Sequence, residues 1–286
     1  MKAEPTLAQL RRRPHWSCSS LGTFLNVCSL QWAFRYVYRR APRHTSPALV
    51  LGGVFPRALT FLFNRQMDGE DTSISAITEL FSELLLQACR SADPPVLFSP
   101  EEDVNSLQAL GVRMLEAFIA EINQEERILG VAVPFSVPLV DQDGNAVSKP
   151  LIGEYDLVIQ AGDSVVIVDW KTSARRWAEK KAHQELQPTC YLYAWQQKNG
   201  STPVHFRYDI VTKAKTATVQ RIETIRHSDH FGRLVEKVKQ IERVCKAEAF
   251  IPSDQSWACA DCPYGLACQS WHRERSRSLY DFRLAA

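Results

Sequence analysis

Two apolar segments joined by a three-residue turn constrain the fold of this chain more than any other feature. The segments are Leu151–Gln160 and Ser164–Val168, and the turn between them is Ala161-Gly162-Asp163. So short a connection between β-prone segments favours an antiparallel hairpin. Val131–Val140 is also apolar and β-prone, and Asp141–Asn145, which follows it, is typical of a turn. The sequence therefore predicts a meander of three strands.

Helical periodicity lies on both sides of this meander. Helices are predicted over about residues 20–40, 47–63, 72–90, 99–123, 176–198 and 229–247, the fourth opened by a capping box at Ser99-Pro100-Glu101-Glu102. Two more strands are predicted at Val204–Val211 and Thr216–Ile225. This order predicts the α/β class, with a central mixed β-sheet flanked by helices.

We expect three regions along the chain. They are a helical N-terminal region (1–125), a core that carries the sheet (126–250) and a cysteine-rich C-terminal segment (251–286) that forms one compact unit with residues 1–40.

Charge is distributed unevenly along the chain. The 286 residues have a formal net charge of +2, yet residues 1–45 carry eight basic side chains and one acidic side chain. More arginines follow Cys268, namely Arg273, Arg275, Arg277 and Arg283. A basic cluster of this size suits a polyanion such as nucleic acid, although a solvated basic surface has the same composition.

The overall composition excludes several classes of protein. Apolar residues make up 45% of the chain and charged residues 23%, which is typical of a globular protein. No uninterrupted apolar run of about 18 residues occurs, so we expect no membrane span. Polar residues also interrupt the stretch after Arg11–Arg13, so we expect no secretory signal and a cytoplasmic protein with reduced thiols.

Acidic residues at the second and third strands of the meander predict a metal site. Asp169 and Lys171 are two residues apart at the end of the third strand, so their side chains project to the same face. If the strands pair as a meander, Asp156 can approach Asp169. Two carboxylates beside an ammonium group suit a hard divalent cation, Mg²⁺ above all, and the main-chain carbonyl of Trp170 could add a ligand. The alternative is a simple salt bridge between Asp169 and Lys171.

The helix that follows supplies two further candidates. Gln187 and Tyr191 are four residues apart and therefore lie on one helical face. Either side chain could contact a phosphate or stack on a base, and Gln187 could brace Lys171. The alternative for Tyr191 is a place in the core. Pro188 suggests that the helix kinks or restarts there.

Three closely spaced cysteines near the C-terminus indicate metal ligation. Cys259, Cys262 and Cys268 form a C-x₂-C-x₅-C pattern, and Cys28 is our choice for a fourth ligand. Four thiolates suit Zn²⁺ or an iron–sulfur cluster, and the spacing does not decide between them. We expect Cys89, Cys190 and Cys245 to be ordinary apolar side chains.

Taken together and in this order, these motifs resemble the RecB-like branch of the PD-(D/E)XK nuclease superfamily. More narrowly, they are similar to its iron–sulfur members, the AddB nuclease domain and the CRISPR-associated RecB-like exonucleases. The motifs that carry the resemblance are Ser17-Cys18-Ser19-Ser20-Leu21 with Cys28, Gly153 with Asp156, Asp169-Trp170-Lys171-Thr172, Gln187 with Tyr191, and the three late cysteines.

The resemblance implies a restriction-endonuclease-like α/β fold and an enzyme. It implies a [4Fe-4S] cluster on Cys28, Cys259, Cys262 and Cys268 that joins both chain ends. It further implies Mg²⁺ or Mn²⁺ on Asp156 and Asp169, with Lys171 catalytic, and a metal-dependent DNA exonuclease acting on single strands or DNA ends. Such nucleases act in DNA repair, recombination or CRISPR adaptation and antiviral defence, with a helicase or a CRISPR integrase as a possible partner.

One departure from the family pattern motivates a rival hypothesis. The family's metal-binding histidine corresponds to Pro56 in this chain, and a proline side chain cannot bind a metal. The rival is a catalytically weak or inactive iron–sulfur subunit that binds DNA or acts as a scaffold in a larger nuclease or integrase complex.

Overall fold

The computed structural model describes residues 5–70, 72–200, 202–254 and 257–284, and it describes side chains as far as residue 274. Lys2 and Glu4 of the basic N-terminal region lie outside the described residues, as do the side chains of Arg275, Arg277 and Arg283.

Short elements come first in the chain, before a helical region. The N-terminal elements are α1 (Leu7–Leu10), β1 (Trp16–Ser17), α2 (Cys18–Gly22), a π-helical turn (Thr23–Val27) and α3 (Ser29–Tyr36). Three longer helices follow: α4 (Pro47–Met67), α5 (Ile74–Arg90) and α6 (Val104–Ala120).

Strands and helices then alternate to the C-terminal end of the described chain. The first three elements of this part are β2 (Arg127–Val137), β3 (Leu151–Ala161) and β4 (Ser164–Ser173), the predicted meander. The remaining elements are α7 (Glu179–Gln184), α8 (Leu186–Asn199), β5 (Val204–Thr212), β6 (Val219–Thr224), α9 (Ser228–Lys246), a 3₁₀ turn (Trp257–Cys259) and α10 (Gly265–Leu284).

All strands belong to one mixed sheet, as the sequence predicts. β3 pairs antiparallel with β2 and β4, β4 pairs parallel with β5, and β5 pairs antiparallel with β6. The parallel step between β4 and β5 is possible because α7 and α8 form the crossover between them. The short strand β1, which the sequence analysis does not predict, pairs parallel with the start of β3.

Strands β3 and β4 separate in the middle of the sheet. Their pairing begins at the turn and ends at Leu157 opposite Val168, whereas β4 continues along β5 as far as Ser173. β1 pairs with β3 only at Leu151 and Ile152. The segment 153–156 of β3 therefore has β2 on one side and an open gap on the other. This gap lies where the sequence places its acidic residues.

Strand β2 is irregular opposite this gap. Ala132 has a backbone φ of 50°, the left-handed region that an alanine rarely adopts. The pairing of β2 with β3 includes Val131 opposite Leu157 and Val133 opposite Tyr155, with no pair recorded between them for Ala132. The backbone is thus distorted in the strand next to Asp156.

Two apolar cores cover the sheet. The first core packs α2, α3, α8 and α9 on one face, and its members run from Trp16 to Tyr264. The second core packs α4, α5 and α6 on the other face, against residues such as Val168 and Trp170 of β4. Burial of apolar surface on this scale is the main source of stability. The first core joins residues from all three predicted regions. The division of the chain at residues 125 and 250 therefore does not separate independent cores, and it remains a proposal.

Helix α4 is long and apolar enough to span a membrane by length and composition. Its buried side chains, such as Leu51, Phe55 and Leu59, lie in the second core against the sheet. This packing is that of a core helix.

Three sequence predictions of helices are corrected by the structure. The helix predicted over residues 20–40 is interrupted at Cys28, whose backbone is extended and whose Sγ accepts a hydrogen bond from the Gln31 amide. The capping box predicted at Ser99–Glu102 forms a turn instead, because Asp103 caps α6 through the Ser106 amide. The single helix predicted over residues 176–198 is two helices that meet at Glu185.

Candidate active site

Asp156, Asp169 and Lys171 meet at the gap between β3 and β4. The Nζ of Lys171 lies 2.5 Å from Oδ2 of Asp169. The main-chain amide of Trp170 donates a hydrogen bond of 2.9 Å to Oδ2 of Asp156. This amide has no β3 partner because the two strands have separated, so the Asp156 carboxylate takes the place of the missing strand neighbour.

The backbone also brings the Trp170 carbonyl towards the gap. The N–H and C=O groups of one strand residue point to the same side of the strand, and the Trp170 N–H points at Asp156. We therefore expect this carbonyl oxygen to face the same gap, as the predicted third ligand requires.

Gln187 contacts Asp169 from the first turn of α8. Its Nε2 donates a short hydrogen bond to Oδ1 of Asp169. The sequence hypothesis that Gln187 braces Lys171 therefore changes: the amide holds the carboxylate, and the carboxylate in turn holds the lysine. The two oxygens of Asp169 have separate partners, Gln187 and Lys171.

Arg226 fixes the start of α8, on which Gln187 depends. Its guanidinium donates hydrogen bonds to the main-chain oxygens of His183 (3.0 Å) and Glu185 (3.1 Å) at the junction of α7 and α8. It also donates to Oγ1 of Thr189 at 2.9 Å, two residues beyond Gln187. The carbonyls at the end of α7 would otherwise lack partners, so one side chain caps one helix and anchors the next.

Burial and neighbouring charges shift the pKa values of Asp156, Asp169 and Lys171. Burial first, and then the Asp169 carboxylate, raise the pKa of Asp156 from 3.8 to about 8. Burial likewise raises the pKa of Asp169, against the opposing effect of Lys171. Burial disfavours the Lys171 ammonium, but Asp169 and Asp156 outweigh it and raise the pKa of Lys171. Two crowded carboxylates beside a cation are the arrangement expected of a divalent metal site without its metal.

Asp156 and Lys171 line a cavity of about 300 Å³, whereas Asp169 is buried and does not reach its wall. Asp156, Lys171, Gln187 and Tyr191 contribute to its wall, together with Ile152, Gly153 and Glu154 of β3. The N-terminal part of the chain supplies the rest of the wall, namely Leu7, Arg11, Ser17, Cys18 and Ser19. The basic N-terminal region therefore reaches the site through Arg11. A larger cavity of about 690 Å³ opens beside Phe63 and Ile159, and none of the predicted site residues lines it.

Two wall residues that carry ionisable groups, Glu154 and Cys18, were not among the predicted site residues. Glu154 was visible two residues before Asp156, but a single glutamate on a strand is equally typical of a solvated edge. Cys18 was assigned only to a motif, although it lines the same cavity as Lys171 and, with burial, raises the pKa of the fully buried Cys190 thiol. No sequence signal shows that these two cysteines meet.

Tyr191 is both a cavity residue and a core residue. Its side chain is 9% exposed, and its ring packs edge to face on Phe135, Tyr155 and Phe206. Burial first, and then Asp169, raise the pKa of the Tyr191 phenol well above its usual value. The hydroxyl is thus a neutral hydrogen-bonding group at neutral pH.

Pro56 lies within helix α4, which packs in the second core. Among the described residues, none from this helix lines the cavity that holds Asp156 and Lys171. The position that the family resemblance assigns to the histidine therefore lies outside the cavity wall.

The four cysteines predicted as ligands line a second cavity, of about 230 Å³. All four thiols are free: Cys28, Cys259, Cys262 and Cys268. Burial, with the charges of neighbouring thiols and of Asp254, raises the pKa of Cys268 to about 11. Four thiols around one small cavity are a donor set that suits a soft metal centre.

The chain ends are also joined around this cavity by ordinary contacts. Oγ of Ser29 exchanges hydrogen bonds of 2.8 Å with the main chain of Ile251. The rings of Phe34 and Tyr264 stack with their centroids 5.9 Å apart. Asp254 and His272 bring ligand atoms within 4.8 Å of one another and of the Cys268 sulfur, so this cavity also has oxygen and nitrogen donors.

The α/β fold and the donor groups of the site fit the nuclease class. The sequence profile of the PD-(D/E)XK nuclease superfamily matches residues 15–269. The chain therefore belongs to the PD-(D/E)XK nuclease superfamily. Members of this superfamily typically use Mg²⁺ or Mn²⁺.

The fold is similar to that of a solved structure. A crystal structure described as a "putative exonuclease" from Eubacterium rectale aligns with a TM-score of 0.52 at 13% identity, over 91% of this chain and 92% of that one. The crystal structure of SSO0001 aligns with a TM-score of 0.33 at 11% identity, over 83% of this chain and 92% of that one. No curated protein sequence matches the chain significantly.

Proposed function

We propose that this protein is a metal-dependent exonuclease of the RecB-like iron–sulfur type, which hydrolyses DNA phosphodiester bonds on single strands or at DNA ends. The observation that carries the proposal is the meeting of Asp156, Asp169 and Lys171 at the gap between β3 and β4, with Gln187 bonded to Asp169. A simple salt bridge would not need a second buried carboxylate whose pKa is raised by the first.

Each side chain of the site has a role in this reaction. Asp156, Asp169 and the Trp170 carbonyl would hold Mg²⁺ or Mn²⁺. The bound cation supplies charge that polarises the phosphodiester and lowers the pKa of the attacking water. Lys171 places an ammonium group where negative charge develops on the phosphate. Gln187 keeps Asp169 in position, and Tyr191 closes the wall with a neutral hydroxyl.

Nucleic acid fits the charge around the cavity. Arg11 lies in the cavity wall, and Arg175 and Arg176 are exposed immediately beyond the strand that carries Asp169 and Lys171. Basic side chains around an acidic metal site are expected where a polyanion must approach carboxylates.

We also propose that Cys28, Cys259, Cys262 and Cys268 hold a [4Fe-4S] cluster. The proposal is supported by four free thiols around one cavity and by the interruption of the predicted helix at Cys28. The visible absorption spectrum of anaerobically purified protein, with iron, sulfide and zinc analysis, tests it. Iron and sulfide in equal amounts support the cluster, whereas zinc alone would contradict it.

Labelled DNA tests the nuclease itself. Purified protein is incubated with single-stranded DNA and Mn²⁺, and linear strands are compared with circular strands of the same sequence. We expect degradation of the linear strand only, and none with the variant Asp169→Ala/Lys171→Ala. Equal activity in that variant would contradict the assigned site, and cleavage of the circular strand would contradict the need for an end.

A second candidate is a non-cleaving iron–sulfur subunit that binds DNA. The specific observation in its favour is Pro56, which replaces a ligand histidine and whose helix does not line the cavity. DNA binding without cleavage in Mg²⁺ or Mn²⁺ would support this candidate over the exonuclease.

A further inference from the structure

A third carboxylate lies in the wall of the active-site cavity. Glu154 is two residues before Asp156 on β3, and both side chains line the cavity that also holds Lys171. The Glu154 carboxylate is close enough to Asp156 to act on it electrostatically. It is half-buried and lies in segment 153–156, where β3 faces the gap left by β4.

Within the described part of the chain, the Glu154 side chain makes no hydrogen bond or ion pair, although its backbone belongs to the β2–β3 pairing. The basic group that acts on it electrostatically is Arg11, an exposed side chain that lines the same cavity. Asp169, by contrast, has both oxygens engaged by Gln187 and Lys171. A half-buried carboxylate without a partner is costly unless a cation neutralises it.

We propose that Glu154 is a third carboxylate ligand of the catalytic metal, together with Asp156 and Asp169. This inference rests on the proposed function, and it accounts for a site in which the position of the family's histidine holds Pro56. An all-oxygen ligand set suits Mg²⁺ and Mn²⁺, whereas an imidazole would raise the affinity for Zn²⁺ and other softer ions. This chain should therefore discriminate strongly in favour of hard cations at its active site.

Binding of Mn²⁺ to the full-length protein, measured from the electron paramagnetic resonance signal of the free ion, tests the proposal without any DNA. Glu154→Gln keeps the size of the side chain and removes its charge. Because a ligand is lost, we expect the affinity for Mn²⁺ to fall by about tenfold or more. Glu154→Asp should retain more affinity than Glu154→Gln.

The matched control is Glu223→Gln, which removes the same charge from an exposed position on β6, outside the cavity. It should leave the affinity for Mn²⁺ unchanged. Thermal melting verifies that each variant is folded, and its visible spectrum verifies that the proposed cluster at the four cysteines is intact. A loss of Mn²⁺ binding is then due to the change at Glu154.

The outcomes separate this inference from the proposed function. Equal Mn²⁺ affinity in Glu154→Gln and in the unmodified protein, with binding lost in Asp156→Asn, would overturn the role of Glu154 and leave the metal site standing. Glu154 would then only balance the nearby charge of Arg11. No Mn²⁺ binding by the unmodified protein would overturn both proposals.

Discussion

At the scale of single residues, Lys171 is the side chain whose role can be separated from metal binding. Lys171→Met removes the ammonium and keeps most of the apolar stem. Because charge on the phosphate is then unneutralised, we expect the cleavage rate to fall by about 100-fold or more. Single-stranded DNA binding and Mn²⁺ affinity should change far less.

Cleavage rates in single-turnover conditions measure this effect, with Lys181→Met as the control. Lys181 lies on α7 and contacts the ring of Trp177 at 3.8 Å, away from the cavity wall. A Lys171→Met protein that cleaves at the rate of this control would contradict a catalytic lysine.

The raised pKa of Asp156 predicts that the stability of the metal-free protein depends on pH. Its pKa is raised to about 8 in the fold, whereas an unfolded chain has the ordinary value of 3.8. The folded state therefore binds the proton more tightly, and the free energy of unfolding decreases as the pH rises from about 4 to about 8. Asp156→Asn removes this loss, so we expect the variant to melt several degrees higher at about pH 8.

Melting curves between about pH 5.5 and pH 8.5 measure this difference, which should shrink as the pH falls. Asp163→Asn, in the exposed turn between β3 and β4, removes a carboxylate without burial and should not show the trend. A constant difference across the range would rule out a raised pKa at Asp156.

At the scale of elements, the junction of α7 and α8 decides where Gln187 lies. Arg226 holds this junction through main-chain oxygens and through Thr189. Arg226→Lys keeps the charge but cannot reach several acceptors at once, since only a guanidinium has that geometry. We expect the kcat for DNA to fall by about tenfold while KM changes little, because Gln187 no longer fixes Asp169.

Steady-state kinetics with linear single-stranded DNA give this split between kcat and KM. Arg243→Lys on α9, an exposed position, is the control for the same exchange elsewhere. A purely structural role of Arg226 would instead reduce the amount of folded protein and leave the kcat of the remaining enzyme unchanged.

The elements also show what the sequence could and could not predict. The short turn between the two apolar segments predicts the hairpin of β3 and β4, and the two-residue spacing of Asp169 and Lys171 predicts that they share a face. The end of the pairing at Leu157 and Val168 is set by the packing of whole strands, so no local pattern predicts the gap. Pro188 predicted that the helix restarts near this point, but the restart lies at Glu185, so that Pro188 falls in the first turn of α8. The position of the junction depends on Arg226, which lies 41 residues away in the sequence.

The break at Cys28 was missed because local periodicity favours a continuous helix. The apolar spacing before and after Cys28 is helical, and only contacts with the C-terminal segment, such as Ser29 with Ile251, explain the change. Glu154 was not predicted as a site residue, because only the folded structure places its side chain in the cavity wall beside Asp156. Residue types and their spacing thus predict the ligands that belong to motifs, and tertiary packing decides which other side chains join them.

At the scale of the whole molecule, the four-cysteine cavity joins the two ends of the chain. A cofactor that bridges Cys28 and Cys259 closes a loop of 231 residues. Loop-closure entropy gives about 5 kcal/mol for such a crosslink as an upper value. We therefore expect Cys28→Ala to lower the melting temperature by about 10 °C or more, since 1 kcal/mol corresponds to a few degrees in a protein of this size.

Calorimetry of anaerobic samples measures this effect. Cys89→Ala, at a partly buried position on α5 outside the cavity, is the control and should cost far less. Equal melting temperatures for the two variants would show that the cavity contributes no cofactor-dependent stability.

Trp170 connects the site to the opposite face of the sheet. Its main-chain amide is bonded to Asp156, and its indole stacks on Phe63 with ring centroids 5.4 Å apart. An ion that binds the Asp156 carboxylate and breaks its hydrogen bond to the Trp170 amide would shift the backbone of Trp170, whose indole is buried and fluorescent. The protein thus contains an intrinsic optical reporter of occupancy, which can be read by titration without label, substrate or turnover.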